Sequence, residues 1–344
     1  ALATANVPVA TIFGKSWDLH VLEALNTTLE ENLRMVEASV RFLKEKGMEV
    51  HFDAEHFFDG FKHNEEYALK VLEAAAKGGA DWLVLCDTNG GSLPEEIKNA
   101  VEIVRNKLTT PLGIHCHNDG DLAVANSLAG VEAGITQIQG TINGLGERCG
   151  NANLCSIIPN LELKMGYQAL PENKLEHLTD CARYISEIAN LVQRGDQPFV
   201  GRSAFAHKAG IHVSAVLKHP ETYEHLAPEA VGNTRRILVS ELSGASNLIG
   251  RAEDLGLDVS DKNLTRELIQ NIKEMEHQGY QFEGAEASLE LVLKKATGEF
   301  TPFFLVDSFK ILSERSDQGE THSEAIIKIR VGEEMVHTAA EGNG

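Results

Sequence analysis

The sequence predicts an α/β fold: a partial TIM (β/α)8 barrel supplying about the last five βα units, then helical linker segments, then the start of a C-terminal α+β domain. Three observations carry this. Over residues 7–165, short apolar runs alternate with amphipathic helical stretches across loops of a few residues, the order that makes βαβ units and a parallel sheet. The polar residues of this region gather where strands end and helices begin. Beyond about 200 the alternation stops, and two helices are followed by segments that alternate like a half-buried antiparallel sheet.

Residues 7–13 (Val-Pro-Val-Ala-Thr-Ile-Phe) form the first strand. Thr28 with Glu31 predicts a capping box. The helix it opens buries Leu33, Val36, Val40 and Leu43, spaced by three and four, and Gly47 closes it. Strand 49–53 leads to helix 64–77, with Val71, Leu72 and Ala75 inward. Strand 82–86 leads to a second capping box, Ser92 with Glu95, and a helix through Ile97, Val101 and Val104. Strand 112–117, helix 121–133, strand 136–142, the Asn151 turn and a helix to about 165 complete the series.

A doubly wound sheet satisfies the same alternation. However, Asp53, Glu55, Asp87, Thr88, His115, His117 and Asn143 sit at successive strand ends, which suits the mouth of a barrel. A closed barrel takes eight units. About three more, roughly 100 residues, are therefore expected ahead of residue 1, and strand 7–13 is expected to present an open edge.

Charge and composition narrow the function. The formal net charge of −20 argues against a nucleic-acid partner, which needs a cationic face. No apolar run reaches the roughly 18 to 20 residues of a membrane span, and residues 1–10 lack the basic and apolar segments of a signal peptide. The five cysteines, at 86, 116, 149, 155 and 181, form no CxxC pair and read as reduced thiols of a cytoplasmic protein.

The segment Gly113-Ile114-His115-Cys116-His117-Asn118-Asp119 is the most specific chemical signal. Strand side chains alternate, so His115 and His117 point one way and Cys116 the other. Two adjacent imidazoles at a strand's C-terminal end suit a divalent metal, against the alternative of a helix cap and a satisfied polar residue. The glycine-rich turn Gln139 to Asn151 brings Asn143, Glu147, Arg148 and Asn151 into one loop. Asn151 is either a plain helix cap or a further metal ligand through its amide oxygen.

These motifs, in this order, together with Ala209-Gly210-Ile211-His212, resemble the 2-isopropylmalate synthase family, which includes homocitrate and citramalate synthases. The stretches Phe52-Asp53-Ala54-Glu55-His56-Phe57-Phe58-Asp59-Gly60 and Leu85-Cys86-Asp87-Thr88-Asn89-Gly90-Gly91 resemble its (R)-citramalate synthase branch. The resemblance covers essentially the whole chain. It implies a barrel part over 1–165, a barrel-closing helix and first linker subdomain over 166–260, a second helical linker over 261–300, and an incomplete regulatory domain over 301–344. It also implies a cytoplasmic homodimer that condenses acetyl-CoA with pyruvate by a metal-assisted Claisen reaction, on the pyruvate route to isoleucine.

In site terms, the resemblance implies His115, His117 and Asn151 at a divalent metal (Mg, Mn or Zn), Thr88 at the keto acid's carboxylate, and Tyr223 near acetyl-CoA. Glu55 matches the acidic catalytic residue, and His212 matches a linker histidine that helps proton transfer in the partner subunit's site. His56 and His207 are weaker candidates. The family's first-strand Arg-Asp pair has no counterpart, and Ser214 stands where some relatives carry Asp. The alternatives are a different α-keto acid (2-isopropylmalate or homocitrate synthase), a retro-Claisen lyase of the same superfamily, or a non-catalytic half-barrel.

Overall fold

Five parallel strands lie side by side in the order in which the chain makes them: β1 (Val9–Lys15), β2 (Glu49–Glu55), β3 (Trp82–Asp87), β4 (Leu112–Cys116) and β5 (Gln137–Gln139). This computed structural model describes residues 2–5, 7–208, 210–237, 245–280, 282, 285–315, 317 and 321–342. Two compact units are present: Ala1–Ala206 with Glu224–Arg236, and His207–Tyr223 with Ile237–Gly344.

The consecutive strand order belongs to a barrel arc, because a doubly wound sheet reverses its order at a switch point. Curvature makes the same point. Gln137 Nε2 on β5 lies 3.1 Å from His51 Nδ1 on β2, and Gln139 Nε2 lies 3.0 Å from Asp53 Oδ1. Three strand spacings in a flat sheet separate backbones by about 14 Å. Side chains of β2 and β5 meet only because the sheet curls around them. β1 pairs with β2 alone among the described strands, and Phe13 on it is 72% exposed.

The helices that cover the outer face are α1 (Leu29–Glu45), α2 (Phe57–His63), α3 (Glu65–Gly78), α4 (Pro94–Lys107), α5 (Ala123–Glu132) and α6 (Leu154–Leu163). The core lies between them and the strands. Val50, Phe52 and Ala54, Leu83 and Leu85, and Leu112, Ile114 and Cys116 are all buried in it. Cys116 thus faces the helices while His115 faces the arc's interior.

Local chemistry shifts several expected boundaries. Thr28 Oγ1 caps α1 by accepting the Glu31 N–H at 3.1 Å, but the Glu31 carboxylate turns to Arg34, so only half of the capping box forms. The cap of α4 is Leu93, not Ser92, because Pro94 takes the first helical position. The Glu96 carboxylate accepts the Leu93 N–H at 2.8 Å, and the Ser92 hydroxyl donates to Asp87 instead. Strand 112–117 ends at Cys116, strand 136–142 contracts to β5, and the unexpected α2 precedes α3.

The first unit also holds α7 (Leu178–Ile188), whose Leu178 and Ala182 share a core with Phe199, Val200, Phe205 and Val231. The second contains α8 (Gly210–Lys218), α9 (Ala245–Asp254), α10 (Lys262–His277) and α11 (Glu286–Thr297). Leu248, Ala252, Leu268, Ile272, Leu289 and Leu293 form its core, with Ile269 and Met275 at the margin, and Asp261 caps α10. An antiparallel meander follows: β6 (Leu305–Arg315), β7 (Thr321–Val331) and β8 (Glu334–Gly342). The strand β8 is additional to the two expected. The half-buried character is confined to the central strand: Ile326, Ile327 and Ile329 on β7 are half-buried, while Phe309 and Ile311 on β6 are 68% and 65% exposed.

Candidate active site

A cavity of about 210 Å³ opens at the C-terminal ends of β2, β3 and β4, lined by Phe13, Asp53, Glu55, Cys86, Thr88, His115, His117, Glu147 and Arg148. Four of the predicted residues, Glu55, Thr88, His115 and His117, therefore share one space.

His115 comes from β4, and its register partner on β5 is Gln139. The Gln139 Oε1 lies 2.9 Å from His115 Nδ1, which leaves Nε2 for another partner. His117 lies just past the strand, where its N–H donates to the Asp87 carbonyl at 3.1 Å and its backbone bridges Asn151. The two imidazole centroids are 5.2 Å apart. Burial, then the charges of His115 and Arg148, push His117 below the usual imidazole range. It is therefore neutral at pH 7, the form that can offer a lone pair.

Three buried polar atoms here have no hydrogen-bond partner: His117 Nδ1, Asn151 Oδ1 and Glu55 Oε2, of which the last has its ion pair with Lys15. Buried acceptors without partners cost free energy unless something satisfies them. The Asn151 amide is fixed from its other side, with Nδ2 donating to the Leu145 carbonyl and the backbone N–H to Gly144. Gly146 permits this approach, because a Cβ there would lie 2.3 Å from Asn151 Nδ2. A nitrogen–nitrogen–oxygen donor set fits a divalent metal of intermediate softness. Among the described residues no three His, Cys, Asp or Glu gather as a ligand group, so this set is partial.

Thr88 follows β3. Its Oγ1 accepts the His56 N–H at 2.8 Å, and its carbonyl accepts from Arg148 at 2.6 Å. Glu55 ends β2 and is ion-paired with Lys15, while Ser16 donates to its backbone carbonyl at 2.7 Å. Burial raises the Asp53 carboxyl above its usual range, opposed by the Gln139 hydrogen bond.

Two strand-end residues prove structural. Asn143 donates to the Ala182 carbonyl and Ser186 Oγ on α7 and accepts from Gln197, which consumes its amide. Asp87 accepts from Gly91, Ser92 and Asn126 and ties down the following loop. His56 is buried in a left-handed conformation, with its ring on Asp59 at 3.0 Å. His207 is buried as well. Glu147 and Arg148, which the sequence places in the glycine-rich loop without a role, both line the cavity, and Arg148 has defined partners. It forks onto both Asp119 oxygens at 2.8 and 3.0 Å, so it braces the loop and is not a free anion clamp.

His212 and Tyr223 belong to the second unit, where their rings contact at 4.2 Å between centroids. His212 is exposed and Tyr223 is 47% exposed. Ala209 of the same motif lies outside the described residues.

An arc of parallel β/α units with a donor cluster at its strand ends defines the class, a β/α-barrel protein with the barrel-mouth site typical of enzymes. Residues 1–185 match the HMGL-like family, and the chain belongs to it. Residues 199–280 match the Homocitrate synthase post-HMGL domain-like family. The chain is 54% identical over 345 residues to an (R)-citramalate synthase of Geobacter sulfurreducens, covering 100% of this chain and 65% of that protein. It is 54% identical over 347 residues to one of Aquifex aeolicus, covering 100% and 66%. A 2-isopropylmalate synthase of Sulfolobus acidocaldarius is 36% identical over 293 residues, covering 83% and 74%. The chain thus spans about 65% of the length of the citramalate synthases it matches.

Proposed function

We propose that the protein containing this chain is an acyltransferase that condenses acetyl-CoA with pyruvate, giving (R)-citramalate and CoA with uptake of one water. The observation that carries the reading is the pair of rings at the cavity, His115 and His117 with centroids 5.2 Å apart, together with the unpartnered His117 Nδ1 and the unpartnered Oδ1 of Asn151, whose backbone bridges His117. Pyruvate is favoured over larger keto acids by the 54% identity to the (R)-citramalate synthases, against 36% to a 2-isopropylmalate synthase.

His115, through Nε2, with His117 and Asn151 would hold a divalent metal. Such an ion supplies Lewis acidity to the α-keto group. Thr88 Oγ1 accepts the His56 N–H, so its own proton is free to donate to a keto acid's carboxylate. Glu55 and His212 are the acid–base candidates. One takes a methyl proton from acetyl-CoA, the new carbon–carbon bond forms at the ketone, and the oxygen is reprotonated. Water then cleaves the thioester. Tyr223, in ring contact with His212, is assigned to acetyl-CoA. His212 would act in the partner subunit's site, which makes the protein a homodimer. No described helix is long and apolar enough to cross a membrane, and a cytoplasmic location is part of this reading. We assign 1–165 to the barrel, 166–260 and 261–300 to linkers, and 301–344 to a regulatory domain.

The test is CoA release by the intact protein. It should require pyruvate, stop on chelation and return with Mn²⁺ or Mg²⁺. Metal-independent release, or none with any keto acid, would overturn the reading.

A further inference from the structure

Gln139 stands between a carboxylate and an imidazole. Its Nε2 is 3.0 Å from Asp53 Oδ1 and its Oε1 is 2.9 Å from His115 Nδ1. A carboxylate accepts hydrogen bonds and cannot donate them, so Asp53 selects which end of the amide faces it. The end left for His115 is then the oxygen, which also only accepts. His115 Nδ1 must carry the ring proton, and Nε2 must carry the lone pair.

The neighbouring layer shows the opposite arrangement with the same residue types. There Gln137 Nε2 lies 3.1 Å from His51 Nδ1, and His51 Nε2 lies 2.8 Å from Glu49 Oε1. The carboxylate now takes the Nε2 proton, so Nδ1 accepts from the amide. In each layer the position of the carboxylate dictates the tautomer.

We propose that Asp53 and Gln139 form a tautomer lock on His115, with Gln139 as a positioning residue that presents Nε2 as a metal donor. The proposal builds on the metal reading of the site. It adds that the lock depends on the curled sheet, because Asp53 and Gln139 come from β2 and β5 and meet only across the arc. Hydrogen bonds of this kind behind a ligating histidine typically change metal affinity by about 10- to 100-fold.

The experiment measures two quantities on the intact protein and its variants. Long-range ¹H–¹⁵N NMR of the metal-free protein at pH 8 reads the His115 tautomer, assigned by the signal lost in His115→Ala. Calorimetric titration with Mn²⁺ reads affinity. The wild type should show the Nδ1–H form. Asp53→Leu and Gln139→Met should each give mixed tautomers and Mn²⁺ affinity lowered about 10-fold or more. The exchanged pair Asp53→Asn with Gln139→Glu reverses the direction of the hydrogen bond between the two residues, with the amide at position 53 now the donor, but keeps an acceptor at position 139 toward His115, and should restore both. A wild-type Nε2–H form, or an unchanged tautomer in both single variants, overturns the lock. Absence of Mn²⁺ binding by the wild type would instead remove the metal reading, while the tautomer signals would still decide the lock.

Discussion

The His56 backbone N–H donates to Thr88 Oγ1 at 2.8 Å, joining the end of β2 to the loop after β3. His56 holds a left-handed conformation at φ 58°, and its ring is anchored on Asp59, which Asn89 also contacts. The hydroxyl is thereby fixed as an acceptor on the protein side and left as a donor toward the cavity.

Thr88→Val removes both roles. It leaves a buried N–H unpaired, which should cost about 1–3 kcal/mol of stability, and it should raise the pyruvate KM. Thr88→Ser keeps the hydroxyl and should behave nearly as wild type. Thermal unfolding and steady-state kinetics on the pair check this. Equal stability of the two variants would deny the His56 contact its role.

His117→Ala removes a neutral imidazole from the donor set. Divalent-metal affinity should fall, and turnover should be nearly abolished, with His115→Ala doing the same. Metal content by mass spectrometry beside kcat measures it. A variant with wild-type metal and turnover would exclude the site.

His212→Ala tests the linker histidine. Proton transfer belongs to the transition state, so kcat should drop far more than the pyruvate KM rises. A change confined to KM would make His212 a binding residue.

Thiol chemistry follows from burial. Cys149 and Cys181 are exposed, while Cys86, Cys116 and Cys155 are buried. Burial pushes the Cys155 thiol up to about 11, and it raises Cys86 and Cys116 as well. The thiolate is the nucleophile, so at pH 8 the three buried thiols should stay inert. A colorimetric thiol titration should find Cys149 and Cys181 in the native chain and all five after denaturation. Prompt modification of Cys155 would contradict the packing.

The βα order and the His115–His117 pair were readable because they are local: period-two and period-3.6 patterning, turn glycines and spacing. What escaped is tertiary. Asp53 and Gln139 lie 86 positions apart, and only sheet curvature joins them. Asn143 looked like a site residue because it ends a strand, but α7 consumes its amide. Ser92 with Glu95 matched the capping pattern, yet Pro94 moved the cap one residue on. Arg148 was visible in the loop, but its fork onto Asp119 was not.

The central claim is condensation of acetyl-CoA with pyruvate at the strand-end cavity. The most direct measurement is kcat/KM of the intact protein for a panel of α-keto acids at saturating acetyl-CoA, with the product identified by NMR. One methylene is worth about 1–3 kcal/mol of discrimination in an apolar pocket. Pyruvate should therefore exceed the next larger keto acid about 10-fold or more, with citramalate as the product. A preference for a branched keto acid, or thioester hydrolysis without carbon–carbon bond formation, would contradict the account.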